Sequence, residues 1–229
     1  MNPLIIALDL ESADHARRMV AVLGDSVSFY KVGLELYAAA GMPFVRELKQ
    51  QGHRVFLDLK FYDIGETVKR AVSQVARSGV DFLTIHATRQ VMQAAVAGRG
   101  DSGLKLLGVG VLTSVDDRDL IEDGYSSSVK EIVDLRVKNA VADGIDGIVC
   151  SALDVARVRS LAPRAVLVTP GVRSAGAAVA DQKRVATPAE AIANGADHLV
   201  IGRQVTRAQD PRGEVLRILE EIASSTVSS

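Results

Sequence analysis

Eight short β-rich runs recur along the chain with helical segments between them, and this alternation limits the fold more than any other feature of the sequence. The runs cover roughly residues 3–9, 28–33, 54–59, 81–86, 105–111, 146–149, 165–168 and 198–201. Several of the helical segments close on a glycine, such as Gly52 or Gly144, which is typical of a helix C-terminus. Eight such units predict an α/β fold with a parallel sheet closed into a (β/α)8 TIM barrel. A doubly wound open sheet is the alternative, but it usually has fewer strands.

The bulk properties of the chain fit one barrel domain over residues 1–229, with a frayed tail expected over about 224–229. The formal net charge is −1 and the basic residues are scattered, so we expect neither nucleic acid nor an anionic membrane surface as a partner. The apolar runs are too short to span a bilayer. Because Cys150 is the only cysteine and the N-terminus has no signal-peptide pattern, we expect a cytoplasmic protein.

Polar residues lie where the predicted strands end, which is where a barrel of this kind places its active site. Independent structural ion pairs have no reason to gather at one mouth, so this distribution favours a functional site. The residues concerned are Asp9, Lys31, Asp58, Lys60, Asp63, Thr113, Ser114, Arg173, Gly202 and Arg203.

The third strand ends in Asp58-Leu-Lys60-Phe-Tyr-Asp63, a run with three charged groups. Alternate strand residues share a face, so Asp58 and Lys60 point the same way, and with Lys31 and Asp63 they would form an array of alternating charge. A lysine held among carboxylates can protonate a developing carbanion, while a carboxylate repels a substrate carboxylate, and this combination suits decarboxylation. A structural salt bridge remains the alternative for Lys31 and Asp58 taken alone.

The last two strands are followed by sequences that suit a phosphate group. Arg173 follows the seventh strand and Gly202-Arg203 the eighth, and glycine with arginine supplies backbone and guanidinium donors to an anion. Either instance alone would more often be a turn glycine and a surface arginine. The long loop after Arg173 contains Gln182 and is interpreted as a lid over a ligand or as a disordered segment. The four histidines show no metal-ligand spacing, so no metal site is predicted.

These motifs resemble the orotidine 5'-phosphate decarboxylase family. Asp58-Leu-Lys60-Phe-Tyr-Asp63-Ile matches the family's Asp-x-Lys-x-x-Asp-Ile signature, and further family motifs follow in the expected order over nearly the whole chain. Leu-Thr113-Ser after the fifth strand and Asp-Gln182-Lys-Arg in the long loop are similar to the bacterial form.

The resemblance implies a homodimeric barrel that converts orotidine 5'-monophosphate to uridine 5'-monophosphate, the last step of de novo pyrimidine synthesis, with no cofactor and no metal. It implies Lys60 as the proton donor to C6 of the pyrimidine, Asp58 facing the substrate carboxylate, Lys31 holding the charge array, and Asp63 reaching into the neighbouring subunit's site. The substrate-binding residues that it implies are Asp9, Lys31, Asp58, Thr67, Thr113, Arg173, Gln182, Gly202 and Arg203.

Some positions depart from the family pattern, and other functions stay open. Gly65-Glu66 stands where the family commonly has Pro-Asn, and Gln204 where it often has proline. One alternative is a magnesium-dependent sugar-phosphate decarboxylase or aldolase on the same barrel. The other is a non-catalytic nucleotide-phosphate binding protein, in which the phosphate grip would survive while Lys60 or Asp58 was lost.

Overall fold

The computed structural model describes residues 2–174 and 186–226. Eight parallel strands pair in chain order, and the last pairs with the first, so the closed barrel predicted from the strand count is confirmed. The strands are β1 (Leu4–Ala7), β2 (Phe29–Gly33), β3 (Arg54–Phe61), β4 (Phe82–His86), β5 (Lys105–Val109), β6 (Gly147–Val149), β7 (Val166–Pro170) and β8 (His198–Ile201).

Helices follow the strands and cover the outside of the barrel. None of those in the described part of the chain is long and apolar enough to cross a membrane. They are α1 (Ala13–Leu23), α2 (Leu34–Gln50), α3 (Gly65–Arg77), α4 (Arg89–Arg99), α5 (Asp117–Glu122), α6 (Val129–Ala142), α7 (Val155–Leu161), α8 (Pro188–Ala193), α9 (Arg203–Thr206) and α10 (Pro211–Thr226).

The C-terminal helix extends further than the sequence indicated. Helix α10 runs to Thr226 and so enters the segment, about residues 224–229, for which the sequence predicted a tail. The hydroxyls of Ser224 and Ser225 donate to the carbonyls of Glu220 and Glu221, one turn back, and these bonds attach the last turn to the helix.

The inside of the barrel is filled by its own apolar cluster, separate from the larger core between strands and helices. Three aromatic rings form its centre: Phe29 packs edge-on against Phe82 with ring centroids 5.0 Å apart, and Phe56 lies 6.1 Å from Phe82. The full set of buried members is Ile5, Ala7, Phe29, Phe56, Phe82, Leu107, Val168 and Val200. This packed layer closes the barrel below the C-terminal mouth and forms the floor of any site there.

Three aspartates stabilise the opposite, N-terminal face of the barrel in the same way. Each follows a Gly-x pair just before an even-numbered strand. Each carboxylate accepts a hydrogen bond from the N–H of the second residue of the preceding odd-numbered strand and another from a cationic side chain of the helix before that strand. The three sets are Asp81 with Val55 N and Lys49, Asp146 with Leu106 N and Arg99, and Asp197 with Leu167 N and Arg159. Since none of these groups lies at the C-terminal mouth, the repeat serves stability.

Candidate active site

Strand alternation carries two charged side chains from the apolar floor into the mouth of the barrel. Phe29 and Phe56 point inward as part of the floor, so Lys31 and Asp58, two residues further along β2 and β3, also point inward and one layer higher. Both side chains are largely buried, with 9% of Lys31 and 18% of Asp58 exposed. Burial of two charges at this depth requires that they be paired, and they are.

Lys31 joins the carboxylates of two neighbouring strands. Its Nζ donates to Asp9 Oδ1 over 2.7 Å and lies 3.6 Å from Asp58 Oδ2. Gly33 lies beside this contact, and a Cβ at that position would lie 2.9 Å from both Asp9 Oδ1 and Lys31 Nζ. Any larger residue at position 33 would therefore have to displace one end of this ion pair.

Lys60 reaches the same carboxylate from an unusual backbone position. Its Nζ donates to Asp58 Oδ1 over 2.7 Å, so Asp58 lies between two ammonium groups. The pairing of β3 with β4 shifts register between Leu57 and Phe61, and Lys60 has φ 48°, which makes it the only non-glycine residue with a left-handed backbone in the described ranges. Such a conformation costs about 1–3 kcal/mol and persists only where neighbouring contacts hold it.

Thr84 supplies those contacts, and the sequence analysis did not identify it. This fully buried β4 residue accepts a hydrogen bond from the backbone N–H of Lys60 (2.9 Å) and donates one to Asp58 Oδ1 (3.0 Å). One hydroxyl thus holds both the strained backbone of Lys60 and the carboxylate that pairs with its ammonium. The available signal was positional, because Thr84 follows Phe82 by two residues, as Asp58 follows Phe56 and Lys31 follows Phe29.

Asp58 is ionised in this environment despite its burial. Burial alone favours the neutral acid, but the charges of Lys31 and Lys60 and the hydrogen bonds from Lys60 and Thr84 outweigh it, and the pKa of Asp58 lies below its ordinary value of 3.8. At neutral pH the centre is a fixed carboxylate flanked by two lysines.

A cavity of about 640 Å³ opens beside this centre and extends across the mouth to the ends of β7 and β8. Arg173 lines it, and the Nε of this arginine is buried without a hydrogen-bond partner among the described residues. A buried guanidinium N–H left unpaired is costly unless a ligand accepts it, and an oxyanion fits that role. The predicted site residues that line this cavity are Asp9, Lys31, Asp58, Arg173, Gly202 and Arg203.

Five predicted site residues do not line the large cavity or lie outside the description. Lys60 is one of them, and it meets the cavity wall through its bond to Asp58 Oδ1 (2.7 Å). Asp63 is exposed, accepts a hydrogen bond from the Ile64 N–H (2.7 Å), and forms no ion pair within the described part of its own chain. Thr67 is half-buried in the first turn of α3. Thr113 is exposed and lines a smaller neighbouring cavity that shares Pro170 and Gly171 with the large one. Gln182 lies outside the described residues.

Within the described residues, neither His86 nor Cys150 forms a hydrogen bond with the charged centre. The ring of His86 packs edge-on against Tyr62, with centroids 5.2 Å apart, and burial, together with the charges of Arg136 and Lys60, lowers its pKa. Cys150 is a free buried thiol whose pKa burial raises to about 12. Over the described ranges, no three His, Cys, Asp or Glu side chains are placed to hold a metal ion.

A closed (β/α)8 barrel with a lysine–carboxylate centre and an arginine-lined wall at its C-terminal mouth defines a TIM-barrel enzyme whose site can move a proton beside an anionic substrate. The model of the orotidine 5'-phosphate decarboxylase / HUMPS family matches residues 2–218, and the chain belongs to this family.

Curated relatives and a solved structure agree with this membership. The chain is 53% identical over 224 residues to orotidine 5'-phosphate decarboxylase of Rhodopseudomonas palustris (strain BisB5), covering 97% of this chain and 95% of the relative. It is 52% identical over 225 residues to the enzyme of the same name from Caulobacter vibrioides (strain NA1000 / CB15N), covering 96% and 97%. The crystal structure of orotidine 5'-phosphate decarboxylase from Lactobacillus acidophilus superposes with a TM-score of 0.85 at 35% identity, covering 97% of this chain and 99% of that one.

Proposed function

We propose that the chain decarboxylates orotidine 5'-monophosphate to uridine 5'-monophosphate (UMP) and CO2, the last step of de novo UMP synthesis, with Lys60 as the proton donor. The family and its relatives named as decarboxylases support this reaction, and the sugar-phosphate and non-catalytic alternatives have no such support. The observation that carries the proposal is the Asp58 carboxylate held between the ammonium groups of Lys31 and Lys60.

The arrangement suits the electron and proton balance of the reaction. When the bond between C6 and the carboxylate carbon breaks, CO2 leaves and the electron pair stays on C6. The Lys60 ammonium gives a proton to that carbon and becomes a neutral amine, which regains a proton from solvent because 30% of the side chain is exposed. Preorganised positive charge next to C6 stabilises the developing carbanion without moving during the step.

Asp58 and its partners contribute by position. Asp58 lies beside Lys60 and faces the substrate carboxylate in the proposed complex, where its negative charge favours departure of CO2. Lys31, which is itself bonded to Asp9, holds the Asp58 carboxylate in place. Lys31 and Asp9 also contact the ribose hydroxyls in the proposed complex. Thr113 contacts the pyrimidine from the neighbouring cavity.

The phosphate group belongs at the other end of the cavity. Arg173, Gly202 and Arg203 line that end, and the unpaired buried Nε of Arg173 supports an anion there. Gln182 completes this grip in the proposal. Contacts to the phosphate group, which is far from the reacting carbon, accelerate the reaction when their binding energy orients the pyrimidine ring. Binding energy that only tightens the ground-state complex does not.

A second copy of the chain is part of the proposal. Asp63 is exposed between Tyr62 and Ile64, which are 67% and 68% exposed, and apolar side chains this exposed at the rim of a site suit burial against a partner. In the proposed homodimer, Asp63 of one subunit completes the site of the other, and Thr67 contacts the substrate. We also propose a cytoplasmic location, because the substrate is a nucleotide and the one cysteine is a free thiol.

The first experiment follows the ultraviolet absorbance of orotidine 5'-monophosphate with purified protein and excess chelator. We expect the orotate band to disappear with the wild type and with Lys138→Ala, a control at an exposed lysine on α6, but not with Lys60→Ala. Uridine 5'-monophosphate should still bind Lys60→Ala. An unchanged orotate band with the wild type, together with turnover of sugar phosphates that requires magnesium, would instead support the sugar-phosphate alternative.

Subunit exchange tests the shared site. We expect Lys60→Ala and Asp63→Ala dimers each to be inactive, whereas a mixed dimer would contain one site that has both native residues. We expect an equal mixture to recover about a quarter of the wild-type activity after exchange. No recovery, with exchange verified by mass spectrometry, would refute the assignment of Asp63 to the partner's site.

A further inference from the structure

Gln204 links the two loops that line the phosphate end of the cavity. It follows Arg203 in α9, and its side-chain Oε1 accepts a hydrogen bond from the backbone N–H of Ser174 over 3.3 Å. Its Nε2 donates to the Ser174 hydroxyl over 3.0 Å. The Gln204 amide thus forms hydrogen bonds with both the backbone and the side chain of Ser174, in the loop after β7.

The same amide is also bonded to helix α10. Gln204 Nε2 also donates to Glu214 Oε1 over 2.7 Å, and that carboxylate is held by Arg217 one turn further along α10. The pairing with Arg217 and the bond from Gln204 together keep the pKa of Glu214 below its ordinary value, so the acceptor is ionised at neutral pH. A charged acceptor makes the bond from the amide stronger than a neutral one would.

The loop end that Gln204 holds is well fixed in other respects. Ser174 is only 3% exposed, and the backbone N–H of its neighbour Arg173 donates to Ala186 O over 3.1 Å. Arg173 and Ser174 therefore leave β7 in a defined position, with Ala186 beside them where the description of the chain resumes.

We propose that Gln204 is a positioning residue that sets the distance between Arg173 on the β7 side and Arg203 on the β8 side of the phosphate site. This inference rests on the proposed function, since it assumes that these arginines hold the substrate phosphate. Two guanidinium groups bind one anion well only when both are held in place. The Gln204 amide, bonded to Ser174 and to Glu214, fixes the loop after β7 relative to α9 and α10. The family pattern leads one to expect proline at this position. Proline has no side-chain amide and could not form the hydrogen bonds that Gln204 forms in this chain.

The test uses Gln204→Leu, which keeps an uncharged side chain, shorter by one bond, and removes its hydrogen bonds. The matched control is Gln93→Leu on α4, because Gln93 Nε2 also donates to a carboxylate, that of Asp143, over 3.2 Å on the outside of the barrel. The readouts are kcat/KM for orotidine 5'-monophosphate and the competitive inhibition constant of inorganic phosphate. A merely structural role would lower the melting temperature without changing phosphate inhibition.

We expect Gln204→Leu to lower kcat/KM and to raise the phosphate inhibition constant by the same factor, about 3- to 10-fold, with neither changed in Gln93→Leu. Ser174→Ala should raise the inhibition constant in the same direction, and the double variant should be no worse than Gln204→Leu alone, because both changes break one link. If Gln204→Leu does not fold, Ser174→Ala carries the test by itself.

The outcomes separate this inference from the function on which it rests. An inactive wild type would refute the proposed function. An active wild type whose phosphate inhibition is the same in Gln204→Leu, or in Ser174→Ala, would overturn the positioning role alone. Additive effects in the double variant would also overturn it, since two independent contacts would then be at work.

Discussion

Replacing Thr84 by valine tests whether one buried hydroxyl holds the catalytic end of β3. The change keeps the branched shape and removes two hydrogen bonds, the one to Asp58 (3.0 Å) and the one from the Lys60 N–H (2.9 Å). A bond to an ionised acceptor contributes about 1.5–3 kcal/mol, and a buried N–H left unpaired costs about 1–3 kcal/mol. Because the two effects overlap at one atom, we expect the free energy of unfolding to fall by about 2–4 kcal/mol.

The same change should reduce activity more than a general loss of stability would. Without its acceptor, the Lys60 backbone is free to leave the left-handed region, and its ammonium moves away from the position that Asp58 defines. A displacement of about 1 Å costs on the order of 10²-fold in rate. We therefore expect kcat/KM to fall about 10- to 100-fold at a temperature where the variant is folded, and Thr84→Ser, which keeps the hydroxyl, to stay close to wild type.

The pH dependence has a definite sign. Thr84 is one of the groups that lower the pKa of Asp58, so this pKa rises in the valine variant and the acid limb of the kcat/KM profile moves to higher pH. A carboxylate with a lowered pKa in the folded state adds stability above its unfolded pKa, ordinarily 3.8, and loses it as pH falls through the folded value. The stability difference between wild type and variant should therefore be larger at pH 7 than in strong acid, which urea unfolding at several pH values measures.

Thr169→Val is the matched control for this experiment. Thr169 is fully buried on β7, and among the described residues its hydroxyl has at most the weak thiol of Cys150 as a partner. Losing that hydroxyl should change stability and kcat/KM little. If both valine variants lost the same stability and kept full activity, the argument that Thr84 positions Lys60 would be refuted.

Three further variants or treatments test other parts of the structure. Iodoacetamide at pH 8 should leave Cys150 unmodified in the folded protein and label it in urea, because burial raises its pKa to about 12; rapid labelling of the native state would contradict this. Asp197→Ala should lower the free energy of unfolding by about 1–3 kcal/mol through the lost bond to Leu167 N, with kcat/KM unchanged, and an altered kcat/KM would show that the N-terminal face affects the site. Gly33→Ala should lower kcat/KM about 10-fold or more, since its Cβ would lie 2.9 Å from Lys31 Nζ, and wild-type kinetics would show that the ion pair yields at little cost.

The barrel could be predicted from the sequence because its strands are short apolar runs separated by regular intervals. A parallel strand buried on both faces needs such a run, and all eight are present in the structure near the predicted positions. The charged members of the site could be predicted for a related reason. A charge at the end of an apolar strand is costly unless it is paired, so Lys31, Asp58 and Lys60 stand out from their surroundings.

Other elements gave weaker signals. Helix α4 has no N-cap hydrogen bond from a side chain, and three of its eleven residues are alanine, so its apolar stripe is faint. It packs closely on α3 through Gly98, where a Cβ would lie 2.3 Å from the carbonyl oxygen of Lys69. Such a contact depends on two helices meeting in space, and a pattern within one helix does not reveal it.

The network around Gln204 could not be predicted for the same physical reason. Gln204, Ser174 and Glu214 belong to three segments separated by 30 and 10 positions, and none is unusual in its own segment. In the family pattern, Gln204 is recognised only as a departure from proline, and the pattern gives no structural reason for this departure. The cause becomes visible once the barrel places the loop after β7 against α9 and α10.

The conformation of Lys60 shows why the centre of the site is harder to predict than its members. Alternation along β3 indicates that Asp58 and Lys60 share a face, and their side chains do meet at 2.7 Å. The strand reaches this contact through a register shift and a left-handed residue, for which glycine would be the unstrained choice. Glycine has no ammonium, so the site keeps lysine at a cost of about 1–3 kcal/mol and offsets it with the bonds to Thr84 and Asp58. The strained backbone thus belongs to Lys60, the residue whose position the proposed proton transfer requires. Thr84 on the neighbouring strand β4 holds Lys60 in this conformation.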